Sequence, residues 1–184
     1  MNESTIKAIQ GIIGVTQDGI WGPKSKAALD SIIAASTKPT DWTNATHKGL
    51  ASSFADPADV RAFKRCKDSG KSDQDCFKVG DNGVGAWGDD CSEGSGPSCA
   101  LPPDDMIEKF GSVAAAKHAK VKVTANNQSA ICVLKDRMPW KKNITNKAII
   151  DLNPDAVALL GLQPPIMEPA SWEWASPDAD RDTK

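Results

Sequence analysis

No stretch of this sequence supplies the ~20 consecutive apolar residues of a membrane-crossing helix, so no membrane insertion is expected. The opening MNESTIKAIQ lacks the basic start and apolar centre of a secretion signal. Neither sign of charge dominates: 22 Lys and Arg against 24 Asp and Glu leave a formal net charge of −2 and a pI near 5.7. That balance gives no basic footprint for nucleic acid. Close ligand pairs such as Cys-x-x-Cys are absent, which removes the usual zinc spacing, and neither a metal nor another cofactor is expected. Internal repeats are not visible. What remains is a chain of 184 residues, long enough for one ordinary domain or for a small one beside a medium one.

The most informative stretch runs from Ile131 to Leu162, ICVLKDRMPWKKNITNKAIIDLNPDAVALLGL. Ile131-Cys132-Val133-Leu134 reads as a buried strand with Asp136 just past its end. Ala148-Ile149-Ile150 is a second apolar run that delivers Asp151 at its own far end. Asn153, Pro154 and Asp155 then suit the start of a helix by capping, fixed φ and charge, with Val157, Leu159, Leu160 and Leu162 on its apolar face and Gly161 near its stop. Upstream, Ala119 to Thr124 alternates as a half-wet strand, and Asn126 to Ser129 turns it back onto Ala130 to Leu134.

Elsewhere the chain divides by composition. Ile6, Ile9, Ile12 and Ile13 fall at helical spacing over Thr5 to Ile13, with Ser4 or Thr5 near the cap. Pro23 opens a second helix through Ile33. Thr37 to Asn44 has linker composition. Gly49 to Ala55 is the expected first strand of the second module, followed by a helix-like stretch from Val60 to Lys67. Asp68 to Pro103 is rich in Gly, Ser and Asp and reads as a functional or disulfide-stapled loop. It takes in or adjoins four of the five cysteines, which suggests an oxidising destination. Cys66 with Cys76 and Cys91 with Cys99 are the favoured local pairings, although four cysteines permit three connectivities. Ala170 to Trp174 reads as a last short strand before an acidic tail. The expected organisation is a helical module (1–36), a linker (37–47), a mainly β domain with helices (48–176) and a disordered tail (177–184).

Two resemblances attach a function to this outline. AIQ followed by DGIWGPKSKAAL resembles the peptidoglycan-binding helical repeat found beside wall hydrolases, without its usual leading helix. It implies that Trp21 helps to bind the wall, although a plain helical hairpin with Trp21 in its core fits the same residues. DRMP followed by IDLNPDAVALLGL, the turn GDNGVGAWG from Gly80 to Gly88, and Ala51-Ser52-Ser53-Phe54 together resemble double-psi β-barrel wall proteins: rare lipoprotein A, lytic transglycosylase A and the expansins. The implied fold is a six-stranded double-psi β-barrel behind the helical module. The implied partner is the peptidoglycan glycan strand, and the protein is expected to act as a monomer.

Glycosidic cleavage needs an acid that is still protonated near neutral pH and an ionised partner. The resemblance to lytic transglycosylase A places the acid on Asp151 and its partner on Asp136, while the resemblance to rare lipoprotein A stresses Asp136, so both are carried as catalytic candidates. In a lytic transglycosylase the muramic acid's own 6-hydroxyl attacks, so one acid/base suffices. Asp81, Asp56, Arg137, Trp87 and Trp140 are further substrate-binding candidates, and Trp172 and Trp174 could also stack on sugars or serve as core. Asp136 beside Arg137 equally fits an ion-paired turn, and Asp151 a helix-capping residue. The His that rare lipoprotein A carries before its Leu-Pro segment is absent from Ser98-Cys99-Ala100-Leu101-Pro102-Pro103. These expectations describe a peptidoglycan-cleaving enzyme, a phage endolysin or exported effector reaching the periplasm or outer wall through a holin or a secretion machine. The competing expectation is a non-catalytic, expansin-like wall-binding or wall-loosening protein.

Overall fold

A computed structural model describes residues 1–36 and 46–179 and divides into two compact units, Met1–Trp42 and Thr43–Lys184. Most of the expected linker, residues 37–45, lies outside the described residues, as do residues 180–184 of the expected tail. The start of that tail forms a turn, in which Ala179 N–H donates to Ser176 O at 3.0 Å.

In the first unit, α1 (Glu3–Ile12) is capped by Asn2, whose Oδ1 accepts from Thr5 N–H at 2.9 Å. The cap thus falls before the expected Ser4 or Thr5, and the helix starts two residues earlier than the expected Thr5. Helix α2 (Pro23–Ser36) begins at Pro23 as expected. Gln10, only 1% exposed, ties the loop between them. Its Nε2 donates to Asp18 Oδ1 (2.7 Å), Ile20 O (3.0 Å) and Ser25 Oγ (3.0 Å), while its Oε1 accepts from Gly19 N–H (3.0 Å).

The second unit is a closed six-stranded barrel with helices in its connections. Its strands are β1 (His47–Ser53), β2 (Ser98–Leu101), β3 (Lys120–Ala125), β4 (Gln128–Arg137), β5 (Ala148–Leu152) and β6 (Met167–Trp174), in the order β1-β5-β2-β4-β3-β6 around the closure. The β1/β5 and β2/β4 pairs are parallel and the other four antiparallel. Asn126 and Asn127, with φ of 49° and 58°, make the tight β3–β4 hairpin; two left-handed residues match the twist of the strands they join. Between strands stand α3 (Pro57–Asp68), the single turn α4 (Asp73–Cys76), α5 (Pro103–Phe110) and α6 (Pro154–Leu159).

Inward residues alternate along the strands, and Val121, Val123, Leu134, Ile150, Leu152 and Trp172 are almost completely buried. Trp174 is 4% exposed and packs edge-on against Trp172 (5.3 Å) and Phe110 (4.9 Å). Both tryptophans are therefore core, not sugar platforms: on this strand their large apolar rings fill the barrel interior. His47, expected to end the linker, opens β1 and stacks on Trp172 at 3.8 Å.

Two elements, α4 and β2, lie inside the segment expected to be a loop. β2 has only four residues between a Gly/Ser-rich run and two prolines, too few to show a period, yet all four are buried. Pairing with β2 also extends β4 to Arg137. Asp136 is consequently inside a strand and not beyond it.

Cys66 and Cys76 are disulfide-bonded, with Cα atoms 5.4 Å apart, fastening α3 to α4. Replacing both by Ser is expected to cost about 3 kcal/mol, the loop-entropy value for so short a closure, read as a lower urea midpoint. The expected Cys91–Cys99 bond does not form. Both are buried free thiols, as is Cys132. Cys99 is held in β2 beside Leu134 and Leu152, while Cys91 Sγ is directed at Asp89 O (3.6 Å). Burial pushes the Cys91 thiol up to about 11 and Cys132 to about 12, and raises Cys99 strongly. Thiols so rarely ionised are poor nucleophiles for oxidation at neutral pH.

Candidate functional site

The barrel's register sets one row of residues across four strands. Asp136 on β4 pairs with Ala100 on β2, Ala100 pairs with Asp151 on β5, and Asp151 pairs with Ser52 on β1. Register shifts at Cys99/Ala100 and at Leu50/Ala51 bring this row into line; such bulges re-aim side chains at strand ends. Two strand spacings separate the aspartates, ~10 Å between their Cα atoms, with the small Ala100 between. Ala100 is buried in one apolar cluster with Met138 and Ala148, packed against Phe54 and Ile144.

The two carboxyls have different partners. Asp151 Oδ1 accepts a hydrogen bond from Ser52 Oγ. Burial raises its pKa from the ordinary 3.8 to about 6; the Ser52 bond opposes the rise and the Asp136 charge adds to it. Asp136 Oδ1 accepts two backbone donors, Ala86 N–H at 2.8 Å and Arg137 N–H at 2.7 Å. Burial raises Asp136 as well, against those two bonds, and the charge of Asp81 adds to the rise. Backbone donors favour the ionised form of Asp136 and so oppose part of the rise that burial causes.

Asp81 and Asp56 stand near the same row. Asp81 Oδ1 accepts from Gly83 N–H at 2.7 Å and so shapes the Gly-rich turn. Its charge raises both Asp136 and Asp56. Trp87, half-buried, directly follows Ala86, whose N–H holds Asp136. Arg137 is exposed and its positive charge lowers Asp136 slightly against burial. Trp140 is 44% exposed, three residues beyond the end of β4, and Trp21 belongs to the other unit. Two participants went unnoticed in the sequence. Ser52 carries a hydroxyl in the Ala51-Ser52-Ser53-Phe54 match, the one available signal. The Ala86 N–H is a backbone group and left none.

The turn that supplies Ala86 is clamped to β4. Lys135 Nζ donates to Asp90 O (2.9 Å) and Ser95 O (3.0 Å), and His118 Nε2 lies 2.9 Å from Asp89 Oδ1. At Gly85 there is no room for a side chain: an added Cβ would lie 2.2 Å from Lys135 O and 3.0 Å from Cys91 Sγ. Gly85→Ala is expected to lift the turn off β4, costing about 1–3 kcal/mol by urea unfolding and releasing Asp136 from the Ala86 N–H. An unchanged unfolding midpoint would contradict this seating.

Comparison with known proteins adds little to the geometry. No protein family matches the sequence, and no curated protein matches it. Among solved structures, the chain is similar to "Streptomyces papain inhibitor (SPI)", with a TM-score of 0.44 and 16% identity over 72% of this chain and 96% of that one.

Proposed function

We propose that this protein cleaves the glycan strands of peptidoglycan as a lytic transglycosylase, with a barrel of the double-psi type. The observation that carries the reading is the paired row: an Asp151 carboxyl raised to about 6, in register with an Asp136 carboxylate held by two backbone N–H groups. At near-neutral pH one member can donate a proton while the other stays charged, the division of labour that glycosidic cleavage needs.

In this mechanism Asp151 protonates the bridging oxygen between MurNAc and GlcNAc as the C1–O bond breaks. Asp136 stabilises the positive charge that develops on the ring. The 6-hydroxyl of the same MurNAc then attacks C1 and returns its proton to Asp151, leaving a 1,6-anhydro end and consuming no water. Ser52 orients Asp151 throughout.

Wall retention is assigned to the N-terminal unit. A cavity of about 440 Å³ there is lined by Gln10, Thr16, Asp18, Ile20, Lys24 and Ser25 among others, and Trp21 adjoins it in sequence. The Cys66–Cys76 bond suits an oxidising compartment, and among the described residues no helix is long and apolar enough to cross a membrane. Both features fit a protein that works in the periplasm or outside the cell, delivered as an endolysin or effector.

The test is to incubate the protein with isolated sacculi and weigh the soluble fragments. Fragments lighter by one water than hydrolysed muropeptides are expected. Hydrolysed ends would replace the transglycosylase with a muramidase or glucosaminidase. Protein that pellets on sacculi and releases nothing would replace it with the expansin-like reading.

A further inference from the structure

Past the end of β1 lies a cavity of about 360 Å³, bounded by Asp56, Pro57, Asp59 and Arg61 at the start of α3 and by Pro164 and Pro165 after α6. That volume falls at the lower end of the roughly 300–1,000 Å³ of small-molecule pockets. Ser53 Oγ links its two sides, donating to Asp56 Oδ2 at 2.8 Å and accepting from Ile166 N–H at 3.3 Å. The other oxygen, Asp56 Oδ1, is buried with no hydrogen-bond partner, in a residue only 9% exposed. Nor does the helix use it: Asp56 is the N-cap of α3 but makes no side-chain cap bond. A buried carboxylate oxygen left unpaired costs on the order of 1–3 kcal/mol, and a ligand donor would recover that.

The wall chemistry narrows the ligand. Proline has no N–H, so Pro57, Pro164 and Pro165 offer apolar surface and no donors. Asp56 and Asp59 need a ligand that donates, while Arg61 needs one that accepts. A free cation fits poorly, because Arg61 shares the wall and no group of three His, Cys, Asp or Glu able to hold a metal occurs among the described residues. A ring with hydroxyl donors on its edge, an apolar face and one acceptor substituent satisfies every wall.

We infer that this cavity is a subsite for one N-acetylated pyranose ring, with a ring hydroxyl donating to Asp56 Oδ1, the C–H face against Pro164 and Pro165, and an acetamido or carboxylate oxygen toward Arg61. The inference rests on the glycan-cleaving reading and extends it. Ser52 and Ser53 are consecutive, one bonded to Asp151 and the other to Asp56, and the charge of Asp81 reaches both Asp56 and Asp136. Both serines close β1, so the subsite and Asp151 share that end of the barrel.

The experiment titrates the ¹⁵N-labelled full chain with the N-acetylglucosamine tetramer. The amide signals of Ala58, Asp59, Arg61 and Ile166 are expected to shift, and Asp56→Asn to weaken binding about tenfold, the difference between a charged and a neutral acceptor. Wild-type shifts alone carry the test if that variant fails to fold. Silent cavity amides, with shifts confined to residues around Asp136 and Asp151, would overturn the subsite and leave the cleavage reading standing. So would shifts at the cavity with calcium alone and none with the sugar. Cavity shifts from the sugar, together with sacculi left intact by the wild-type protein, would keep the subsite and remove the enzyme.

Discussion

Asp151→Asn is expected to abolish sacculus cleavage and, at neutral pH, to make the barrel more stable. General acids contribute roughly 10²–10⁴-fold to rate, and an amide cannot protonate the bridging oxygen, so loss in that range is expected. The wild-type rate should fall as pH rises through about 6, where Asp151 loses its proton, and should fall again at lower pH as Asp136 gains one. Stability follows from the same shift. Between the ordinary 3.8 and about 6, the folded protein keeps a proton that the unfolded chain has released. Stability therefore declines as pH rises across that window and stays reduced above it. Two pKa units correspond to at most about 3 kcal/mol, and the partial exposure of Asp151 lowers the realistic gain to about 1–2 kcal/mol. Asn, which never ionises, escapes this loss. Urea unfolding should show the variant ahead of wild type at pH 7 and level with it at pH 4. Full lytic activity in a folded Asp151→Asn protein, or a stability gap independent of pH, would defeat the assignment.

What the sequence disclosed about this site was its carboxylates, because Asp136 and Asp151 follow apolar runs that no loop would carry. Their alignment was hidden. It depends on β2, four residues with no readable period, and on two register shifts that only strand pairing reveals. The same gap put Asp136 outside its strand, since β4 extends only because β2 is there to pair with it. The pairing of hairpin β3–β4 was legible, its Asn-Asn turn being local chemistry, although Gln128 and Ser129, read as turn, belong to β4. The free state of Cys91 and Cys99 was not: closeness in sequence favours pairing, but Cys99 is held in a strand by partners far along the chain. Trp172 and Trp174 illustrate the same limit, because a tryptophan on a strand reads alike whether the face it occupies closes onto a core or opens onto a groove.

Asn153→Ala is expected to be the most destabilising single substitution in the barrel, at about 4 kcal/mol or more. From sequence Asn153 is a helix cap, worth about 1 kcal/mol. In the fold it is fully buried and makes four bonds. Its Oδ1 accepts from Ala156 N–H (3.0 Å), the cap bond, and from Ser98 N–H (2.8 Å) at the start of β2. Its Nδ2 donates to Cys91 O (3.2 Å) and Gly96 O (2.9 Å) in the segment before β2. Asp155 reinforces the tie by accepting from Gly94 N–H (3.0 Å) and Gly96 N–H (2.7 Å). One side chain thus attaches the irregular Gly/Ser segment to the end of β5, and so fixes where Ala100 sits between the two acids. Alanine would strand four backbone groups, three of them outside the helix, each costing about 1–3 kcal/mol when unpaired and dry. Asn153→Asp separates the contributions: it keeps both accepted bonds and loses both donated ones, so it should fall between wild type and alanine in urea midpoint. If Asn153→Ala costs no more than an exposed cap, the segment before β2 is held by its own turns, and the alignment of Asp136 with Asp151 has another origin.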